Sequence, residues 1–276
     1  MTNTAEFNDN IRGTARSPRA VITGGSGGIG CVIVRQLLDT GYEVLTLTRK
    51  PPEVTHERVR HIACDLSNAA QITAVGKAIV AEGIPVDVLI HCAGVIFPRS
   101  VATMEENDIQ QQVDINFTAP VLLTSSLFSI VRDGGHIVFL NSLAAIFPLP
   151  ESSVYAATKA ALRSFALSLT IEAKPRRIAV SSIFPGAVDT AMLREEMSHG
   201  GSVLNFVNPP VSPESVAAVV MKAIQRNGGE YFRPELDGVF GRLCMFWPAL
   251  LRCVLPIFTW VGRRGAGKYR GRAGVG

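Results

Sequence analysis

The sequence predicts an α/β fold, a single doubly wound parallel sheet with helices on both faces, followed by an apolar and basic C-terminal extension. Three observations carry this. From Arg19 short apolar runs alternate with longer amphipathic segments, and strands alternating with helices of ten or more residues imply a parallel sheet covered on both sides. The first apolar run leads through a glycine-rich turn directly into an apolar helix. At 276 residues, 47% of them hydrophobic, the chain is long and apolar enough to fill a substantial core.

In chain order, 20–23 reads as the first strand and 28–40 as the helix after it. Strands at 43–48 and 61–64, a helix over 68–82 and a strand at 86–91 follow, then helices over 107–131 and 153–173, each leading to a strand, 135–141 and 178–184. No internal repeat or low-complexity linker interrupts the pattern before about residue 200. Residues 1–18 are polar, mixed in charge and without a signal-peptide core, so they read as a loose extension. The catalytic domain is expected over 19–235 and the extension over 236–276. Cys31, Cys64, Cys92, Cys244 and Cys253 form no Cys-x-x-Cys pair, which argues against a disulfide framework or zinc site and suits a reducing, cytoplasmic setting. The five histidines suggest no metal constellation.

The net charge of +4 is uneven. Residues 239–276 hold seven of the 27 basic residues and none of the 23 acidic ones, which leaves the body at 20 against 23, a net of −3. Basicity belongs to the tail, and a nucleic-acid-binding face on the body is not expected.

In a doubly wound sheet, ligands bind beyond the carboxyl ends of the strands, so the loops there are where chemistry is sought. After the first strand comes Thr23-Gly24-Gly25-Ser26-Gly27-Gly28-Ile29-Gly30. Glycines let the backbone approach a phosphate, and the following helix N-terminus offers unpaired N–H groups to a pyrophosphate. The second strand ends in Leu47-Thr48-Arg49-Lys50, without the carboxylate that a site for NAD(H) places there. Arg49 suits a 2′-phosphate and so NADP(H). Asp65, in Cys64-Asp65-Leu66, is either an acceptor for an adenine amino group or an N-cap for the next helix. Tyr155 and Lys159 lie four residues apart in an expected helix, which puts both side chains on one face. A cation fixed beside a phenol lowers its pKa, making it a usable acid or base at neutral pH.

Together these motifs resemble the classical short-chain dehydrogenase/reductase family over roughly residues 19–232. The resemblance rests on Thr23-Gly24-x-x-x-Gly28-Ile29-Gly30, Asn116 in Asp114-Ile115-Asn116, Ser142 thirteen residues before Tyr155, the Tyr155/Lys159 pair, and Pro185-Gly186-Ala187-Val188-Asp189-Thr190. It implies a Rossmann-type fold and hydride transfer between NADP(H) and the carbonyl or alcohol of a small hydrophobic substrate. It implies that Tyr155 is the general acid/base, Ser142 holds the substrate oxygen, Lys159 lowers the Tyr155 pKa and binds the nicotinamide ribose, and Asn116 holds a relay water. Cofactor contacts are implied at Gly24, Ser26, Gly28, Ile29, Gly30, Arg49, Asp65, Leu66, Ala93, Gly94, Tyr155, Lys159, Val188 and Thr190, and a homo-oligomer is expected. An NAD-dependent alcohol dehydrogenase, or a non-catalytic NADP(H)-binding scaffold at a membrane, is the alternative.

One departure from the family pattern is His91-Cys92-Ala93-Gly94, where Asn-Asn-Ala-Gly is usual. It removes two amides, and His91 reads better as a hydrogen-bonded structural residue than as an extra acid/base. Residues 192–210, rich in Met, Leu, Phe and Val, fall where the family builds its substrate lid. The 23 residues of 239–261 are apolar but interrupted by Arg242, Pro248, Arg252 and Pro256, then followed by Arg263, Arg264, Lys268, Arg270 and Arg272. Length alone would span a bilayer. The arginines and prolines favour instead a segment lying on the membrane surface with its basic tail on anionic head groups. A substrate cover or subunit contact would bury the same residues.

Overall fold

Period-2 side-chain alternation settles which residues go to which face of the sheet. In the first strand Val21 joins one apolar core while its neighbours Ala20 and Ile22 join the other. A core on each face is what a fully covered parallel sheet requires. The computed structural model describes residues 16–246 and 248–273; most of the expected N-terminal extension lies outside them.

Seven parallel strands, β1 (Arg19–Thr23), β2 (Glu43–Thr48), β3 (Val59–Ala63), β4 (Val86–His91), β5 (Val131–Leu140), β6 (Ala179–Pro185) and β7 (Gly229–Arg233), stand in the order β3-β2-β1-β4-β5-β6-β7. The order reverses between β1 and β4, where Thr23 lies opposite His91, so their carboxyl ends open the crevice in which such sheets bind ligands. Helices α1 (Gly28–Asp39) and α7 (Pro213–Ile224) cover one face through Ile33, Val34, Leu37, Val216 and Val220. The other face is covered by α2 (Ala69–Ala81), α4 (Ala119–Leu127) and α5 (Ser153–Glu172), with α3 (Glu106–Val113) leading into α4.

Several expected bounds shift for identifiable reasons. The helix expected over 107–131 is broken at Asp114–Thr118 by a π turn, closed by Ala119 N–H donating to the Asp114 carbonyl. β5 begins at Val131 rather than at 135, because an irregularity in its pairing with β4, between Val86 and Val88, absorbs the extra residues. β7 and α7 were not expected. β7 is a short edge strand that starts on Gly229 at φ +130, so it lacks the alternating apolar signal.

After α6 (Ala191–Ser198) and a 3₁₀ turn at Val203–Phe206, the chain ends in α8 (Glu235–Phe246) and α9 (Pro248–Ala273). Of the two prolines in 239–261, Pro248 opens a new helix and Pro256 lies inside it. Pro248 occupies the first position of α9, where its missing N–H costs nothing, and the helix runs on through Pro256. α9 packs on the Val203–Phe206 turn. A Cβ on Gly262 would come within 2.3 Å of the Val203 carbonyl oxygen, and one on Gly265 within 2.1 Å of that of Phe206. Phe206 and Tyr269 stack with centroids 5.0 Å apart, and the Tyr269 hydroxyl donates to Asp189 Oδ1 at 3.0 Å. The extension therefore clamps the lid segment.

Candidate active site

The β1 end and the β4 end are tied by one side chain: Thr23 Oγ1 accepts from the backbone N–H of Cys92 at 3.1 Å and of Ala93 at 3.2 Å. This holds the glycine turn against Ala93-Gly94. Gly24 takes φ +70, and a Cβ there would sit 2.7 Å from Ala93 Cα. On Gly30 it would meet the Gly24 carbonyl oxygen at 2.1 Å. Helix α1 begins without a side-chain cap or an acidic residue in its first turn, so its free N–H groups and positive dipole end are left for an anion. A dinucleotide pyrophosphate fits these residues.

Arg49 and Asp65 follow neighbouring strands. Thr48 Oγ1 shapes the turn at Arg49 by donating to the Lys50 carbonyl at 2.6 Å. Asp65 Oδ1 accepts from both the N–H and the hydroxyl of Ser67, bonds that hold its carboxyl below the ordinary carboxylate range, with a smaller contribution from the Arg49 charge. The helix N-cap at this place is Asn68, whose side chain accepts from Gln71 N–H, so Asp65 does not cap α2. Leu66 is buried in the core beside it.

The π turn places Asn116 at 0% exposure, in keeping with such turns marking functional positions. Its amide is a clamp: Oδ1 accepts from Val95 N–H at 2.8 Å, while Nδ2 donates to the Val95 carbonyl at 2.8 Å and to Thr158 Oγ1 at 3.3 Å. Asn116 thus locks the loop after β4 onto α5. That helix carries Tyr155 and Lys159 on one face, with Lys159 Nζ 5.6 Å from the Tyr155 ring centroid and donating to the Leu140 carbonyl at 2.9 Å. Ser142, just past β5, accepts Ala144 N–H at 3.1 Å. Beside it Asn141 Nδ2 is buried without a partner among the described residues.

Burial dominates the electrostatics at the pair. Burial pushes the Tyr155 hydroxyl up to about 12; its hydrogen bond with Ser142 pulls it down and the charge of Glu196 adds to the rise. Burial pushes the Lys159 ammonium down to about 8. Tyr155 is consequently a neutral phenol at neutral pH. His91 and Cys92 are inert: His91 Nε2 bonds Thr124 Oγ1 at 2.8 Å, the ring stacks on Phe139, and burial drives its pKa to about 3, while burial pushes the Cys92 thiol to about 12.

Ser142, Tyr155, Lys159, Gly94, Ile29, Val188 and Thr190 all line one cavity of about 460 Å³. Thr190 caps α6, and a Cβ on Gly28 would meet its Cγ2 at 2.9 Å, so the glycine turn and the Val188-Thr190 loop close on each other. Arg49, Asp65 and Leu66 lie outside this cavity, at the β2–β3 side of the crevice. The sequence did not reveal the outer wall, where Phe147 stacks on Phe240 at 5.7 Å and Phe240 meets Phe258 edge-on at 5.3 Å. Phe240 and Phe258 come from α8 and α9, the extension for which the sequence left a substrate cover open beside a membrane-surface segment. Glu196 and Asn205, also in the wall, were hidden in the lid segment. Among the described residues no group of three or more His, Cys, Asp or Glu is placed to hold a metal.

Known proteins carry the same architecture. The family model for short chain dehydrogenases matches residues 18–200. An uncharacterised short-chain type dehydrogenase/reductase of Sinorhizobium fredii is 32% identical over 75% of this chain and 85% of its own length. A short-chain dehydrogenase of Burkholderia cenocepacia solved with NADP superposes with a TM-score of 0.74 at 21% identity, covering 87% of this chain and 98% of that one. A 4-hydroxyisoleucine dehydrogenase solved with NADH gives 0.69 at 21%, covering 78% and 96%. Matched over most of its sheet, with the glycine turn and the Tyr155/Lys159 pair inside or beside one crevice, the chain belongs to the short-chain dehydrogenase/reductase family of oxidoreductases.

Proposed function

We propose that the protein is an NADP(H)-dependent carbonyl reductase or alcohol dehydrogenase acting on a hydrophobic substrate. The observation that carries this reading is the neutral, buried Tyr155 beside Ser142 and Lys159 in the wall of a mainly apolar cavity. Bound NADP(H) supplies or takes the hydride at the substrate carbon. In the reducing direction the Tyr155 hydroxyl gives its proton to the carbonyl oxygen as that carbon gains hydride, and in the oxidising direction its phenolate takes the alcohol proton. Ser142 holds the oxygen for both steps. Lys159 binds the nicotinamide ribose, and its charge favours the phenolate while that form lasts. Asn116, through its clamp on Val95 and Thr158, keeps α5 and the cofactor loop in register.

The dinucleotide is held by Gly24, Ser26, Gly28, Ile29 and Gly30 at the pyrophosphate, Asp65 and Leu66 at the adenine, Ala93 and Gly94 by close backbone approach, and Val188 and Thr190 at the carboxamide. Arg49 takes the 2′-phosphate that distinguishes NADP(H). A panel of apolar ketones and alcohols with both nicotinamide cofactors tests the reading: NADPH oxidation with a ketone supports it, and failure of the whole panel favours a non-catalytic scaffold. Arg49→Asp is expected to weaken NADPH binding at least tenfold more than NADH binding, measured by fluorescence titration; equal effects reject the 2′-phosphate role.

A peripheral membrane contact by residues 239–276 has one observation in its favour. Leu243, Ile257 and Trp260 are exposed on α8 and α9, with Trp260 at 55%, while Arg263, Arg264 and Lys268 extend the exposed surface. Apolar side chains flanked by cations suit an anionic lipid surface.

A further inference from the structure

Glu196 is a buried acid that proton transfer at Tyr155 leaves without a task. It lies on α6, 7% exposed, in the wall of the cavity that holds Tyr155 and Ser142. Its Oε1 accepts from Asn205 Nδ2 at 2.6 Å, and Gly201 backs its stem closely enough that a Cβ there would come within 2.7 Å of Glu196 Cγ. The side chain is thereby fixed in the wall, near enough to the reacting group for its charge to raise Tyr155. Burial pushes the carboxyl up to about 7, opposed only by the Asn205 bond, with no cation contributing.

The rest of the cavity points the same way. Lys159 is the one cation among its lining residues, and its ammonium is engaged with the Leu140 carbonyl. A second acid, Asp237 on α8, lines the wall with both oxygens accepting from Asn208 Nδ2 at 3.1 Å. One amide serves only part of the acceptor capacity of a carboxylate. An apolar cavity bearing two carboxyls against one ammonium disfavours a carboxylate or phosphate and leaves an opening for a donor.

Resting on the reading of this cavity as the carbonyl-substrate site, we propose that Glu196 is a specificity-determining residue that receives a hydrogen-bond donor, a hydroxyl or a protonated amine, carried by the substrate near its carbonyl. The substrates are then apolar hydroxy- or amino-carbonyl compounds rather than anionic acyl derivatives. A charge-assisted hydrogen bond in such a site discriminates by roughly tenfold or more.

The test is equilibrium binding, by calorimetry, to the full chain saturated with NADP⁺, in which a ketone is bound without being reduced. The probes are undecanone, its α-hydroxy and α-amino derivatives, and a keto acid of the same length. The wild type is expected to bind both donor-bearing ketones about tenfold or more tightly than undecanone, and the keto acid more weakly. Glu196→Gln, which keeps the shape and the Asn205 contact, is expected to erase the amine preference and retain that for the hydroxyl; Glu196→Leu is expected to erase both. Equal binding of the three ketones, binding of none, or preferences that survive Glu196→Leu overturn the proposal, and if the leucine variant does not fold, an unchanged amine preference in Glu196→Gln does so. Absence of NADPH oxidation alongside a preserved binding preference would count against the reductase reading alone.

Discussion

A phenol and a carboxyl buried in one wall each hold a proton more firmly than in water, and that is the chemistry of this site at the scale of single residues. Tyr155 is kept neutral by burial, as a donor must be. Glu196, ordinarily ionised above 4.5, is pushed up to about 7 in the fold. Its folded pKa exceeds its unfolded one, so its contribution to stability is fully present below 4.5 and is lost as pH rises through about 7. Against Glu196→Gln, wild-type melting temperature should therefore fall across that interval, as differential scanning calorimetry of both proteins would measure. Tyr155 and Lys159 were legible as a pair from spacing, because four residues on a helix put side chains on one face whatever packs around them, whereas Ser142 came only with the family resemblance. Glu196 was not legible, since nothing local separates a buried acid in a lid from a solvated one. Asn116 was placed by its motif, but its clamp on Val95 and Thr158 depends on a π turn that leaves no mark in the hydrophobic pattern.

At the scale of elements, six of the seven strands were readable, the β3 edge included, and β7 was not. β1, β2, β4 and β6 are buried along nearly their whole length, whereas β7 carries Gly229 and a charged Glu230, paired with Arg163 across 2.6 Å. The larger difference lies in α8 and α9. Their composition suggested a membrane-surface segment, yet the small residues Gly262 and Gly265 let α9 lie directly on the Val203–Phe206 turn, while Phe240 and Phe258 close the cavity. Sequence spacing does not say what a helix faces when its partner is an irregular turn. Gly265→Val would put a side chain where 2.1 Å separates Cβ from the Phe206 carbonyl oxygen. We expect it to lift α9 from the lid, raising KM for an apolar ketone roughly tenfold, with a smaller rise in the Kd for NADPH, whose proposed carboxamide residues Val188 and Thr190 flank the Asp189 that Tyr269 holds. Steady-state kinetics with a parallel fluorescence titration distinguish the two.

The whole molecule combines a nucleotide crevice at the β1/β4 reversal with a cavity whose outer wall comes from the C-terminal helices. Exposed Ile257 and Trp260 lie on the helix that supplies Phe258, so the face proposed to meet lipid adjoins the substrate site. Among the described residues, the helical run long and apolar enough to cross a bilayer is a different one, Glu106–Ile130, and its Leu123 and Leu127 are in the core. Co-sedimentation with vesicles containing phosphatidylserine should carry down the wild type, and Ile257→Asp with Trp260→Asp should abolish this without loss of melting temperature. Equal partitioning removes the membrane contact and leaves the extension as a cover.

The central claim is that Tyr155 gives the proton. Single-turnover oxidation of NADPH by Tyr155→Phe, with any ketone the wild type reduces, tests it most directly. The account predicts a rate lower by about 10²–10⁴-fold with NADPH bound as tightly as by the wild type. An unchanged rate in the variant would contradict it.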